Sequence, residues 1–300
     1  MTPEQIQIQK QEISDRYGAW TNHNIQLAPN LYTISSELTG ADPKLRRYCQ
    51  IIADHIFVPE SEHGSDYGVK RSWQDLRVLD LACLEGIYGI EMALQGAEVV
   101  GIEGRAANLV KARFVKEVLG LENIQFYQDD VRNLSVEKYG KFDVVICVGI
   151  LYHLDSPDIF QFLSQIHAVC NHLAIIDTQL AIQPETKVSY DGQDYWGKFF
   201  TEHEPNLTPE QKLNKLWASL DNAQSFWLTR PSLHTYLEHL GFSSIYECHH
   251  PAVKRYEVMR INENQDRATF VALQGKPVEI QANDLAKSQH LWQEIEQLKL

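Results

Sequence analysis

Val78-Leu79-Asp80-Leu81-Ala82-Cys83-Leu84-Glu85-Gly86-Ile87-Tyr88-Gly89 joins an apolar strand to a glycine-bearing turn and the start of a helix. From Arg77 onward the chain repeats that unit, short apolar runs alternating with amphipathic segments, which is the rhythm of parallel strands crossed by helices. Strands are expected at 77–82, 97–102, 124–127, 142–148, 173–178, 244–248 and 269–274, with helices at 87–95, 105–119, 157–169 and 231–240. In the last helix Pro231 sits in the first turn and Gly241 follows the end. The sum is an α/β fold, a Rossmann-like sheet of seven strands with helices on both faces. Sheets of this kind bind ligands beyond the carboxyl ends of their strands, so the turn after Leu81 is where a site is sought.

The flanks read differently. Thr2 followed by Pro3 and Gln5 offers a helix N-cap, a proline in the first turn and a capping-box partner, so a helix should run to about Arg16. A second helix is expected over 42–56, with Leu45, Cys49, Ile52 and Ile56 at helical spacing, and between the two lies an extended aromatic stretch, Tyr17 to Thr33. Residues 58–73 are polar and glycine-bearing, a connector. Residues 181–229 break the strand–helix rhythm and are rich in Trp, Tyr and Phe, which marks an inserted lid. Leu291, Ile295 and Leu298 share one face of a final helix, read as docking on its own chain, with a dimer contact as the alternative. The expected units are therefore 1–71, a helical cap and connector; 72–180, the core; 181–230, the lid; and 231–300, the rest of the core and a C-terminal helix.

Of 300 residues, 44% are hydrophobic and 22% charged, as in a globular chain with a full core. Its net charge is −13, and 1–70, 71–180 and 181–300 carry 6, 9 and 12 basic against 9, 15 and 16 acidic side chains, so every third is acidic. Nucleic acid is accordingly disfavoured as a partner. No window approaches a membrane span and the first ten residues lack an apolar stretch, which points to a cytoplasmic protein, monomer or homodimer. Five widely spaced cysteines read as reduced packing residues. His249-His250 has no acid or cysteine at ligand spacing, so no metal is expected.

The motifs resemble those of the class I S-adenosylmethionine-dependent methyltransferases. Asp80 stands where that family has the acid of its first motif, and Gly86 keeps one glycine of the loop, while Ala82 and Leu84 occupy positions where it prefers glycine. Glu103, ending Val99-Val100-Gly101-Ile102-Glu103 just before Gly104, matches the carboxylate that accepts the ribose hydroxyls, and Asp130 with Val131 matches the adenine-facing pair. Phe142 to Leu154 matches the fourth-strand motif, putting Val148 and Tyr152 beside the sulfonium. The resemblance covers about 72–275 and implies S-adenosylmethionine as cofactor. Glycine-x-glycine-x-x-glycine is absent from Asp80 to Gly89, which sets a nicotinamide enzyme aside.

The expected reaction is methyl transfer to oxygen or nitrogen of a small or medium-sized metabolite, natural product or modified peptide, with a partly apolar acceptor. His153 is the candidate base, the alternative being that it shapes the pocket. Tyr32, Trp196, Phe200, His203 and Trp227 are the candidate acceptor contacts; Arg230 and Arg260 are better read as surface pairs. Gly149-Ile150-Leu151-Tyr152-His153 with Ser156-Pro157 is also similar to tRNA wobble-uridine enzymes that use a carboxylated cofactor, but no Lys or Arg adjoins Tyr152-His153 in sequence. Leu84 motivates a third reading, a non-catalytic binding module.

Overall fold

The computed structural model describes residues 1–35, 43–57, 72–248 and 266–275. The expected C-terminal helix, His249-His250 and Arg260 lie outside them. In chain order the elements are α1 (Pro3–Tyr17), β1 (Gln26–Ala28), β2 (Leu31–Tyr32), α2 (Pro43–Ile56), β3 (Arg77–Leu81), α3 (Ile87–Gln95), β4 (Glu98–Glu103), α4 (Ala106–Leu119), β5 (Ile124–Gln128), α5 (Val136–Tyr139), β6 (Phe142–Val148), α6 (Asp158–Val169) and β7 (Cys170–Leu180). There follow β8 (Thr186–Tyr190), β9 (Gln193–Thr201), α7 (Pro209–Asn214), β10 (Gln224–Leu228), α8 (Arg230–Leu240), β11 (Ser244–Cys248) and β12 (Asp266–Leu273).

Seven strands form the central sheet in the order β11-β12-β7-β6-β3-β4-β5. All pairs from β7 to β5 are parallel, whereas β12 runs antiparallel to both β7 and β11. The order reverses at β3, so β3 and β6 part at their carboxyl ends and leave a crevice there. Both faces of the sheet are covered. Leu79, Leu81, Val145 and Ile176 pack with α6 and α8 residues such as Phe160, Leu163 and Leu237; Val78, Val144, Ile146 and Ile175 pack with Tyr48, Ile52, Ile90 and Leu109 of α2, α3 and α4. Continuous apolar strands are what a parallel sheet buried on both sides requires.

The local signals hold the ends. Thr2 caps α1, accepting from the Gln5 amide while the Gln5 side chain accepts from the Thr2 amide. Thr229 caps α8 in the same way through the Ser232 amide, and Gly241 ends it in the left-handed conformation. All five cysteines are free thiols. Among the described residues no helix is long and apolar enough to cross a membrane.

Residues 181–229 build a second, three-stranded antiparallel sheet in the order β10-β9-β8. Its aromatics anchor it to the main body: Tyr190 stacks on Phe160 with ring centroids 4.7 Å apart, and Tyr195 lies 5.0 Å from Phe160 and 5.3 Å from Tyr236. Tyr190 and Tyr195 are thus packing residues, whereas Trp196, Phe199, Phe200 and Trp217 of the same insertion are exposed.

Candidate active site

A cleft of about 620 Å³ opens at the carboxyl ends of β3, β4 and β6. The turn after β3 forms its floor. Ala82, Leu84 and Gly86 adopt φ of 52°, 48° and 87°, so the loop takes left-handed backbone at alternate positions although two of the three are not glycine. Leu84 therefore keeps a glycine-like path instead of distorting it, and the motive for a non-catalytic module lapses. Non-glycine residues there cost about 1 kcal/mol or more each, and the loop is held by its surroundings. Cys83 N–H donates to the Ile102 carbonyl at 3.0 Å, and Gly86 N–H donates to the Cys83 carbonyl at 2.7 Å. Gly89 N–H donates to Asp80 Oδ2 at 2.8 Å, tying α3 back to its strand. Burial lifts the Asp80 carboxyl to about 7 despite that bond.

Glu103 ends β4 with its side chain buried in the cleft wall. Its Oε2 accepts from Leu84 N–H at 3.0 Å, and its Oε1 from Arg105 N–H at 2.8 Å and Asn108 Nδ2 at 3.2 Å. Three donors orient a carboxylate that has roughly four acceptor positions, and burial raises its pKa against their pull. Asp130 caps a short turn after β5, accepting from Arg132 N–H at 2.9 Å and from the Arg132 guanidinium through both oxygens. Asp129 is held by Lys138, Tyr139 and Asn133.

His153 also lines the cleft, in the short turn after β6. Its Nδ1 lies 3.0 Å from both oxygens of Glu202, at the end of β9, and Glu202 Oε2 also accepts from Ser219 N–H at 2.8 Å. The Glu202 carboxylate is 1% exposed, yet these partners hold its pKa below the ordinary value against the effect of burial. With Nδ1–H directed at Glu202, the neutral ring presents Nε2 as its basic nitrogen. The turn carrying His153 is fixed by the insertion: Asn222 Nδ2 donates to the His153 carbonyl at 3.0 Å, Trp227 Nε1 to the Tyr152 carbonyl at 2.9 Å, and Phe226 N–H to the Leu154 carbonyl at 2.9 Å.

Asp80, Ala82, Glu103, Gly104, Asp130, Val131, Val148, Tyr152 and His153 all line this cleft. Gly86 lies behind it, where a Cβ would meet Phe126 at 3.0 Å. The five residues expected to touch the acceptor are not brought to the lining. Tyr32 is on β2, its carbonyl accepting from Lys10. Trp196 and Phe200 are exposed on β9, Phe200 stacked on Trp227 at 4.6 Å, and Trp227 itself is buried. His203 is buried, its Nε2 donating to the Ser219 carbonyl at 3.0 Å.

What covers the cleft instead is the stretch 216–222 between α7 and β10, which supplies Leu216, Trp217, Leu220 and Asp221. It is pinned by core residues. Arg105 donates to the carbonyls of Leu213, Lys215, Ala218 and Ser219, and Arg132 bridges Asp130 to Asp221 at 2.9 Å. A Cβ on Gly104 would stand 2.6 Å from a terminal methyl of Leu220, so any larger residue there would make that side chain shift. Thr21, Asn22 and His23 line the cleft from the N-terminal stretch. They are moored by buried Glu85, which accepts from Thr21 N–H at 2.8 Å and pairs with Lys111 at 3.3 Å.

Cations that no local motif announced also stand here. Lys44 of α2 and Arg267 of β12 line the cleft, paired to Asp177 of β7 at 2.8 and 2.6 Å. The Arg267 guanidinium lies 5.5 Å from the Tyr152 ring centre. The absence of a cation beside Tyr152 in sequence is therefore corrected by the fold.

Residues 73–207 match the family model described as a methyltransferase domain. Ubiquinone biosynthesis O-methyltransferases are 36% identical over 81 residues in Acinetobacter baumannii and 40% over 81 in Azotobacter vinelandii, 27% of this chain in each case. The chain spans about a third, 34%, of the length of these relatives. The N-terminal domain of EvdMO1, crystallised with S-adenosylhomocysteine, superposes with a TM-score of 0.64 at 24% identity, covering 92% of this chain and 98% of that one. A 1,6-didemethyltoxoflavin-N1-methyltransferase of Burkholderia thailandensis superposes at 0.50 with 16% identity, covering 77% of this chain and 78% of that one. At such identities these are likenesses of fold. Sheet order, motif turn and family match agree: residues 73–207 match a methyltransferase domain, and the chain shares the fold of the class I S-adenosylmethionine-dependent methyltransferases.

Proposed function

We propose that this chain binds S-adenosylmethionine in the cleft and transfers its methyl group to an oxygen or nitrogen of a small or medium-sized acceptor. One observation carries the reading: Glu103 and His153, the latter held by Glu202, line the same cleft at the carboxyl edge of one sheet. The residues suit the cofactor. A volume of about 620 Å³ lies in the range of ligand clefts. Glu103 keeps an acceptor position for a ribose hydroxyl, and Asp130 beside Val131 suits an exocyclic amine and a ring nitrogen. When bound, the cofactor supplies an electrophilic methyl on a sulfonium.

The chain's own residues do the rest. Leu216, Trp217 and Leu220 exclude water from a reactive cation, while Tyr152 and Val148 border the transferred group. His153 Nε2 takes the proton that a hydroxyl or amine acceptor must lose, and Glu202 stabilises the imidazolium that forms. A base in that position contributes roughly 10²–10⁴ in rate, on top of the advantage of positioning. The shared segment with O-methyltransferases supports oxygen as the atom methylated.

The test is calorimetry with S-adenosylhomocysteine, followed by transfer of labelled methyl from S-adenosylmethionine to a panel of phenols, hydroxy acids and amines. Absence of binding by either cofactor form would sink the reading. Binding without transfer to any acceptor would leave a binding module.

A further inference from the structure

Side chains from three distant parts of the chain also line the cleft: Lys44 of α2, Gln179 of β7 and Arg267 of β12. Gln179 and Arg267 are directly opposed in the antiparallel β7–β12 register, and Asp177, two residues before Gln179, shares their face. Asp177 lies beneath, its side chain 2% exposed, accepting from Lys44, Arg267 and Thr269 Oγ1 and held at about 2 because these partners outweigh its burial. One buried carboxylate thus fixes two cations in the lining of the cleft. Gln179 is nine-tenths buried, and its Oε1 has no hydrogen-bond partner among the described residues. A buried amide oxygen left so is costly unless a ligand donor reaches it.

We infer that Lys44, Arg267 and Gln179 form a carboxylate-recognising subsite, and that the methyl acceptor is a small acid bearing a hydroxyl or amine. The inference rests on the methyl-transfer reading and replaces the partly apolar acceptor suggested by the aromatic insertion, whose rings Tyr190, Tyr195 and Phe226 are spent on packing. The Arg267 guanidinium and the Lys44 ammonium outnumber the single Asp177 charge between them, which leaves a net positive wall suited to a carboxylate, and Gln179 takes a donor of the same ligand. The hydroxyl or amine to be methylated then faces His153.

The experiment uses the full chain saturated with S-adenosylhomocysteine and two matched probe pairs, 4-hydroxybenzoate against 4-hydroxybenzamide and lactate against lactamide. The acids are expected to bind at least about fivefold tighter than their amides, and Arg267→Leu or Lys44→Met to abolish the preference. Gln179→Glu, which leaves the Asp177 triad intact, is expected to reverse it and covers the case in which the charge-removing variants misfold. Amides binding as well as acids, or none of the four binding at roughly millimolar concentration, overturns the subsite. So does a loss of S-adenosylhomocysteine affinity in Arg267→Leu with 5′-methylthioadenosine, which lacks the amino-acid tail, unaffected, since the cations would then serve the cofactor. If the wild type does not bind S-adenosylhomocysteine at all, the methyl-transfer reading has failed first, and the two failures are distinct.

Discussion

His153 Nδ1 sits 3.0 Å from each carboxylate oxygen of Glu202, a residue 49 positions later that reaches the cleft only through the inserted sheet. The insertion therefore supplies a partner for the candidate base as well as a cover. Glu202→Gln keeps the shape and removes the charge that favours the imidazolium. It is expected to lower kcat about tenfold to a hundredfold, with KM for the cofactor unchanged, and His153→Ala to lower it further. Steady-state methyl transfer checks this, and an unchanged kcat in Glu202→Gln would remove Glu202 from the mechanism.

Glu103 is already oriented by Leu84, Arg105 and Asn108, so its contribution to cofactor binding needs no rearrangement. Glu103→Ala should weaken S-adenosylhomocysteine binding by about 1–3 kcal/mol through loss of charge-assisted hydrogen bonds. Calorimetry with equal affinities for both proteins would reject the role.

Ala82 at φ 52° tolerates no β-branch. Ala82→Val is expected to destabilise the chain by about 1–3 kcal/mol, whereas Ala82→Gly, trading strain for chain entropy, should stay within about 1 kcal/mol of the wild type. Chemical denaturation of the two variants separates them; equal midpoints would mean that the loop is not conformationally restrained.

Asp80 gives a pH dependence with a definite sign. Its folded-state pKa of about 7 lies above the ordinary 3.8, so between those values the folded protein binds more protons than the unfolded one. This group's contribution to stability is then largest at low pH and declines as pH rises through the window. Asp80→Asn should flatten that decline, as followed by urea unfolding across the range. A slope identical to that of the wild type would show the carboxyl to be ordinary.

Arg105 holds four carbonyls between Leu213 and Ser219. In Arg105→Ala the cover should open more readily, raising tryptic cleavage at Lys212 and Lys215 by about tenfold or more while distant sites are unaffected. Unchanged digestion kinetics would assign the cover's closure to Asp221 and Leu220 instead.

Which of these features a reader of the sequence could find depends on how local each is. Strand and helix periodicity, the Thr2 cap and the turn from Asp80 to Gly89 are set by neighbours a few residues apart, and so are the acids at the strand ends, Glu103 and Asp130. Parallel pairing then brings those ends to one edge, which is why the side of the cleft carrying Glu103 and Asp130 is legible in the sequence. The side carrying Lys44, Gln179 and Arg267 is not. Lys44, Asp177 and Arg267 meet across 133 and 90 residues, and Glu202 finds His153 across 49. Their signal is a long-range register that no spacing rule encodes. The aromatics of 181–229 divide for a related reason: composition reports that rings are present, but only packing against Phe160 and Tyr236 decides that Tyr190 and Tyr195 turn from the cleft while Trp217 lines it.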